Sequence, residues 1–223
     1  MEVAVSTAHP SWFVRTGRWV GERYPRALRA AILALYVVVA GAGYADAGIS
    51  ADDLAPDWLR AQLFGAVLIF AWFLMIRTLD DLEDQPEDDV HHPERALQRG
   101  AVSRGDLFGL VALTVVVQLA VAVAVDRALG HAGIGPITTL WLGMAAFLAV
   151  LAVDFGAPRA LAARPGLRRA LRAPASVLPV VLAFSIGYGT VHVDLVTVAV
   201  VVAIAGLVAW YDISRRPKQG AQA

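Results

Sequence analysis

Long apolar runs alternate with short polar stretches along the chain, with neither the two-residue alternation of a half-buried strand nor the one-sided stripe of a soluble surface helix. The runs predict spanning helices over 27–44, 58–76, 107–125, 136–153, 175–190 and 195–211. Each is near the ~20 residues that a helix needs to cross roughly 30 Å of hydrocarbon. Trp58, Trp141 and Trp210 fall near predicted ends, where amphipathic rings favour the interface. Pro136 and Pro174 suit first-turn positions, and Pro179 lies inside the fifth run, where neighbouring helices absorb a kink. The expected fold is an all-α, multi-pass transmembrane helical bundle of about six spans over 27–212. An interfacial segment over 1–26 precedes it and a tail over 213–223 follows.

Composition agrees, with 58 % of the 223 residues hydrophobic. Cysteine is absent, which excludes disulfides, thiolate metal ligands and a cysteine nucleophile. The N-terminus leads into arginines rather than a short apolar core, so no cleavable signal peptide is expected. The formal net charge is zero and only its distribution informs; no nucleic-acid partner is expected. One side of the expected bundle collects Arg15, Arg18, Arg23, Arg26 and Arg29, then Arg77, Arg95, Arg99 and Arg104, then Arg159 through Arg172, and last Arg215, Arg216 and Lys218. The other side has only Arg60 and Arg127 among several aspartates. Both termini and the 77–106 connection are therefore expected in the cytoplasm. The alanine- and arginine-rich composition fits a bacterial inner membrane.

Residues 11–26 read either as an amphipathic helix lying on the lipid bilayer, with Trp12, Phe13 and Trp19 on its apolar side, or as a mobile basic tail. The stretch 155–172 reads as a basic loop that sets topology, with the alternative that its arginines hold an anion. Gln118 is the strongly polar residue within the spans, expected in an interhelical hydrogen bond. Tyr36, Phe184 and Tyr188 are expected in core packing rather than as the lining of a cavity. Ala71-Trp72-Phe73 and Ala209-Trp210-Tyr211 end the second and sixth spans alike, a hint of internal duplication.

The chemistry is concentrated in RTLDDLEDQPEDDVHHPERALQRG, residues 77–100. If the second helix continues past Ile76, Asp80 and Asp84 stand at i, i+4 on one face, with Asp81 beside them. Like charges so placed repel unless a cation neutralises them. An all-oxygen pair suits Mg²⁺, which takes one or two carboxylates, keeps water and completes its shell with phosphate oxygens. Pro86 ends or kinks this helix, and Pro86-Glu87-Asp88-Asp89 is also good helix-start chemistry. That makes Glu87, Asp88 and Asp89 helix-end, solvated residues, and His91 and His92 loop residues. Arg77, Arg95 and Arg99 bracket the acids, and metal plus guanidinium is what a diphosphate needs. The plain alternative is a solvated mixed-charge loop.

These residues resemble the UbiA superfamily of intramembrane prenyltransferases, whose second helix ends in N-x-x-x-D-x-x-x-D and is followed by a segment like R-P-L-x-S-G-x-I-S. Asp80-Asp81-Leu-Glu-Asp84 stands for the aspartate pair and Arg95-Ala-Leu-Gln-Arg99-Gly100-Ala-Val-Ser103 for the segment. Arg77 through Asp84 also looks like the R-x-x-D-E-x-x-D of a shorter, divergent branch. The resemblance covers most of 27–217. It implies a bundle around a lipid-accessible cavity, with two aspartate motifs that hold Mg²⁺ and an isoprenyl diphosphate. Asp80 and Asp84 would be metal ligands with Asp81 as a substitute, and Arg77, Arg95 and Arg99 would contact the diphosphate. Asp212 would begin the second motif, whose second acid is replaced by Arg216; with Arg215, that arginine would offset diphosphate charge. Asp154 is a candidate acid at the facing side or an ordinary helix-end residue. Ile76 replaces the leading asparagine, and the family's roughly nine helices exceed the six here. Either the chain is a minimal form, or another subunit or copy completes it, or it has lost activity.

The activity expected first is Mg²⁺-dependent prenyl transfer to a lipophilic acceptor. Terpene cyclisation at the same site and a non-catalytic membrane subunit are the alternatives.

Overall fold

The computed structural model describes residues 10–48, 56–156 and 165–192, with side chains described outside 87, 149–156 and 165–176. Every regular element among them is a helix: α1 (Trp12–Arg23), α2 (Arg26–Asp46), α3 (Pro56–Glu83), α4 (Gln85–His91), α5 (Arg104–Ala128), α6 (Pro136–Gly156) and α7 (Pro165–Tyr188). Among the described residues, α2, α3 and α5 are long and apolar enough to cross a membrane. Shorter apolar helical stretches cover Pro136–Leu148 and Val177–Tyr188. The first four predicted spans coincide with α2, α3, α5 and α6; the sixth, 195–211, lies outside the described residues.

Two boundaries differ from the expectation. α7 starts at Pro165, ten residues ahead of the predicted fifth span, so 165–172 is helix rather than loop. Pro165 holds the first position and Pro174 sits inside the helix. A run of alanine, leucine and arginine, all strong helix formers, explains the extension. Trp141 is buried in α6 rather than placed at an interface.

Two compact units divide the chain, Met1–Ala34 with Phe70–Gln118, and Leu35–Ile69 with Leu119–Ala223. In the first, α1 reaches the opening turn of α5 through Trp12 and the closing turns of α3 through Trp19 and Arg23. Trp19 is fully buried with Leu82, Ala96, Leu97, Val102, Leu107 and Leu110. The tryptophans expected on lipid thus face protein, and Phe13 alone of the three stays exposed. Gln118 is buried on α5, its Nε2 3.5 Å from the Ala71 carbonyl of α3 and 3.6 Å from Met75 Sδ.

The second unit is joined by near-bare backbone. A Cβ at Gly187 of α7 would run into the Ala40 carbonyl of α2, and one at Gly43 into the Phe184 carbonyl. Small residues that let helix backbones approach are the usual device where hydrocarbon replaces water. Gly65 of α3 makes room for the Tyr36 hydroxyl. That hydroxyl donates to Gln62 Oε1 at 2.9 Å, and Gln62 Nε2 donates to the Ile186 carbonyl at 3.2 Å. Gln62 is thus a second side-chain amide within the spans, in addition to Gln118. Tyr36 and Phe184 are core residues, as expected. At the α5–α6 joint, the fully buried Asp126 carboxylate accepts from the amides of Gly135, Ile137 and Thr138 at 3.1, 3.0 and 2.8 Å. It therefore caps α6, where a negative charge also meets the positive end of the helix.

Candidate functional site

α3 continues to Glu83 without a break, so Asp80 and Asp84 keep the i, i+4 register, and the Asp84 amide donates to the Asp80 carbonyl at 2.8 Å. α4 then starts with Pro86 in its first turn. The three aspartates of the motif part company. Asp84 is exposed, Asp80 is half-buried, and Asp81 is only 3 % exposed. One residue is a rotation of about 100° on a helix, and it carries Asp81 inward beneath α1.

There the Asp81 carboxylate accepts from Trp19 Nε1 at 3.0 Å and from Arg23 Nε at 2.6 Å, with Arg77 Nε 3.5 Å away. A buried carboxylate persists only when paired and hydrogen-bonded. Asp81 is accordingly a clasp between α1 and α3. Tyr24, just past α1, donates its hydroxyl to the Phe73 carbonyl at 2.6 Å. Burial holds this phenol well above its ordinary range, with Asp80 and Asp81 adding to the shift and Arg77 opposing it.

The segment after α3 is folded rather than solvated. Asp88 is buried, ion-paired with Arg95 and 3.7 Å from Arg23. It is therefore not the solvated helix-end residue that its position suggested; Asp89 is exposed. His92 Nδ1 is 3.4 Å from Glu94. Residues 93–103 turn tightly around buried Ala96, Leu97 and Val102. Gly100 stands at φ 71°, a left-handed conformation that glycine adopts without strain. Arg99 donates to Glu22 Oε2 at 2.8 Å, and the Ala96 amide donates to Glu22 Oε1 at 3.0 Å. Ser103 caps α5: its Oγ accepts from the Asp106 amide at 3.0 Å, and Asp106 Oδ2 accepts from the Ser103 amide at 2.9 Å, a reciprocal capping box. Arg15 forks onto the same carboxylate at 2.9 and 2.6 Å.

The structure thus brings Asp80, Asp81, Asp84, Arg77, Arg95 and Arg99 into one unit and adds Arg15, Glu22 and Arg23 from α1. The sequence pattern does not assign these last three to the site, although Arg15, Trp19 and Arg23 follow one another at i, i+4 along one face. Asp154 lies in α6 with its side chain outside the description, and Asp212, Arg215 and Arg216 lie outside the described residues.

Among the described residues, no three acids, histidines or cysteines are placed together to hold a metal ion. A divalent ion here would rely on Asp80 and Asp84, water and oxygens of a bound ligand. That is a usual shell for Mg²⁺. Compared with family models, curated proteins and solved structures, the chain matches none.

Proposed function

We propose that the chain is an integral membrane enzyme of UbiA-like, six-span design. In this reading it ionises an isoprenyl diphosphate at the charged end of its first unit and transfers the prenyl group to a lipophilic acceptor. That end would face the cytoplasm from a bacterial inner membrane. The observation that carries the reading is the division of labour within one motif. Asp80, half-buried in the last turn of the apolar α3, and Asp84, exposed just past it, keep the i, i+4 spacing, while Asp81 is buried in the contact with α1. A Mg²⁺ ion on Asp80 and Asp84 would supply charge for the leaving diphosphate. Arg77 stands one turn before Asp80, and Arg95 and Arg99 lie in the folded segment that follows. Guanidinium groups held by weaker internal anions are ready partners for a diphosphate, whose charge is larger.

One observation favours the second reading, a non-catalytic membrane subunit. Arg77, Arg95 and Arg99 are each already matched to a carboxylate of the chain. Incubation of the purified protein with geranyl, farnesyl and geranylgeranyl diphosphates and Mg²⁺ separates the readings. Mg²⁺-dependent diphosphate release that falls by about a hundredfold or more in Asp80→Ala/Asp84→Ala supports the enzyme, since such electrostatic groups typically contribute on that order. Absence of release from all three substrates supports the subunit. Release of a hydrocarbon or terpene alcohol without acceptor assigns cyclisation instead of transfer.

A further inference from the structure

α1 has two sharply different sides. Inward, Trp12, Arg15, Trp19 and Arg23 are used up by α3 and α5, and Thr16 is buried with its hydroxyl donating to the Trp12 carbonyl. Outward, Phe13 is 75 % exposed, Val14 and Arg18 are exposed, and nothing lies within 4 Å of the Cβ positions of Gly17 and Gly21. The chain then turns through Tyr24 and Pro25 into α2, whose first turns expose Arg26 and Leu28. Arg18, Arg26 and Arg29 make none of the ion pairs found among the described residues. Arg29 Nε is shielded from solvent and has no hydrogen-bond partner there. The other two arginines of α1 are both paired.

We propose that this face, Phe13, Val14 and Arg18 of α1 with Arg26, Leu28 and Arg29 of α2, docks on anionic phospholipid, the arginines binding headgroup phosphate and Phe13 entering the acyl boundary. Three cations without an ion pair among the described residues, beside exposed apolar side chains, are complementary to a negatively charged leaflet. A bilayer is within reach, because α2 is itself long and apolar enough to cross one. α1 meets α5 at its opening turn and α3 at its closing turns, so these contacts lie at the ends of the two apolar helices, where an interfacial helix belongs. The face is separate from the acidic motif, so the inference stands or falls independently of the proposed chemistry.

Two measurements on the full chain test it. In native mass spectrometry from mixed phosphatidylcholine–phosphatidylglycerol micelles, the wild type should retain phosphatidylglycerol preferentially. The triple variant Arg18→Gln, Arg26→Gln, Arg29→Gln should lose that preference on the order of tenfold or more, with thermal stability near wild type because none of the three forms an ion pair among the described residues. Equal retention of the two lipids by the wild type, or an unchanged preference in the variant, overturns the proposal. The absence of cysteine also allows one spin label at Phe13→Cys. In bilayers containing phosphatidylglycerol, the label should be protected from a water-soluble relaxation agent and reached by oxygen. A label freely reached by the aqueous agent overturns the insertion of residue 13.

Discussion

The two units of this chain bury helix surface by opposite means. In the first, α1 is fastened to α3, α5 and the 93–103 segment by charge: Arg15 on Asp106, Arg23 on Asp81 and Asp88, Glu22 on Arg99. In the second, α2 and α7 meet through Gly43 and Gly187 with almost no side chain between them. The only buried carboxylate described there, Asp126, is satisfied by backbone amides and a threonine rather than by a cation. The difference follows from the solvent each design can tolerate. Buried carboxylates such as Asp81, Asp88 and Asp106 persist only with a cation or donor beside them, whereas close backbone contact needs no charge and suits hydrocarbon. Charge therefore makes the first unit sensitive to titration and to single deletions, and shape makes the second sensitive to added volume.

The largest expected effect breaks the charged seam. Arg23→Met leaves the Asp81 carboxylate buried with Trp19 and a more distant Arg77, and removal of one partner of a buried pair typically costs about 3–5 kcal/mol. Thermal unfolding in detergent should show that loss. Asp81→Leu added to Arg23→Met should recover part of it, since no charge is then stranded although Trp19 Nε1 loses its acceptor. If the double variant is no more stable than the single one, the seam is held by shape, and the contrast between the units fails.

The next effect belongs to the glycine seam. Gly187→Ala drives a methyl group into the Ala40 carbonyl, and overpacking of this kind costs about 1–3 kcal/mol. Gly41→Ala on α2 meets nothing within 4 Å and should be neutral or slightly stabilising, because alanine is the better helix former by about 1 kcal/mol. Equal melting temperatures for the two variants would show that the close crossing is not a constraint.

The contrast also marks what a linear reading could reach. Helix positions were legible because an apolar run of spanning length has few alternatives: 27–44 and 107–125 fall within α2 and α5. Continuation of α3 through the acidic residues was legible from the i, i+4 spacing of Asp80 and Asp84, and the α4 start from Pro86. What could not be read is which face meets what. Trp12 and Trp19 are as suited to lipid as to protein, and only the presence of α3 and α5 beside them decides. Asp81 differs from Asp80 by one helical step, and its burial depends on Arg23, some sixty residues away in the chain. Gly43 and Gly187 carry no one-dimensional mark of the close backbone approach they make in their unit.

The smallest effect tests the titration side of the comparison. Tyr24 donates to the Phe73 carbonyl, and burial keeps its phenol protonated well past the ordinary value of about 10. In the unfolded chain the same group ionises near that value, so above pH ~10 the folded state binds more protons than the unfolded one. Stability contributed by the neutral phenol is therefore full below about pH 10 and declines as pH rises beyond it. Tyr24→Phe removes a hydrogen bond worth about 1 kcal/mol at neutral pH. It should also flatten the alkaline fall in melting temperature relative to wild type. If Tyr24→Phe lowers stability equally at every pH up to the alkaline limit, Asp80, Asp81 and burial do not bias this phenol, and the titration sensitivity assigned to the first unit rests on its ion pairs only.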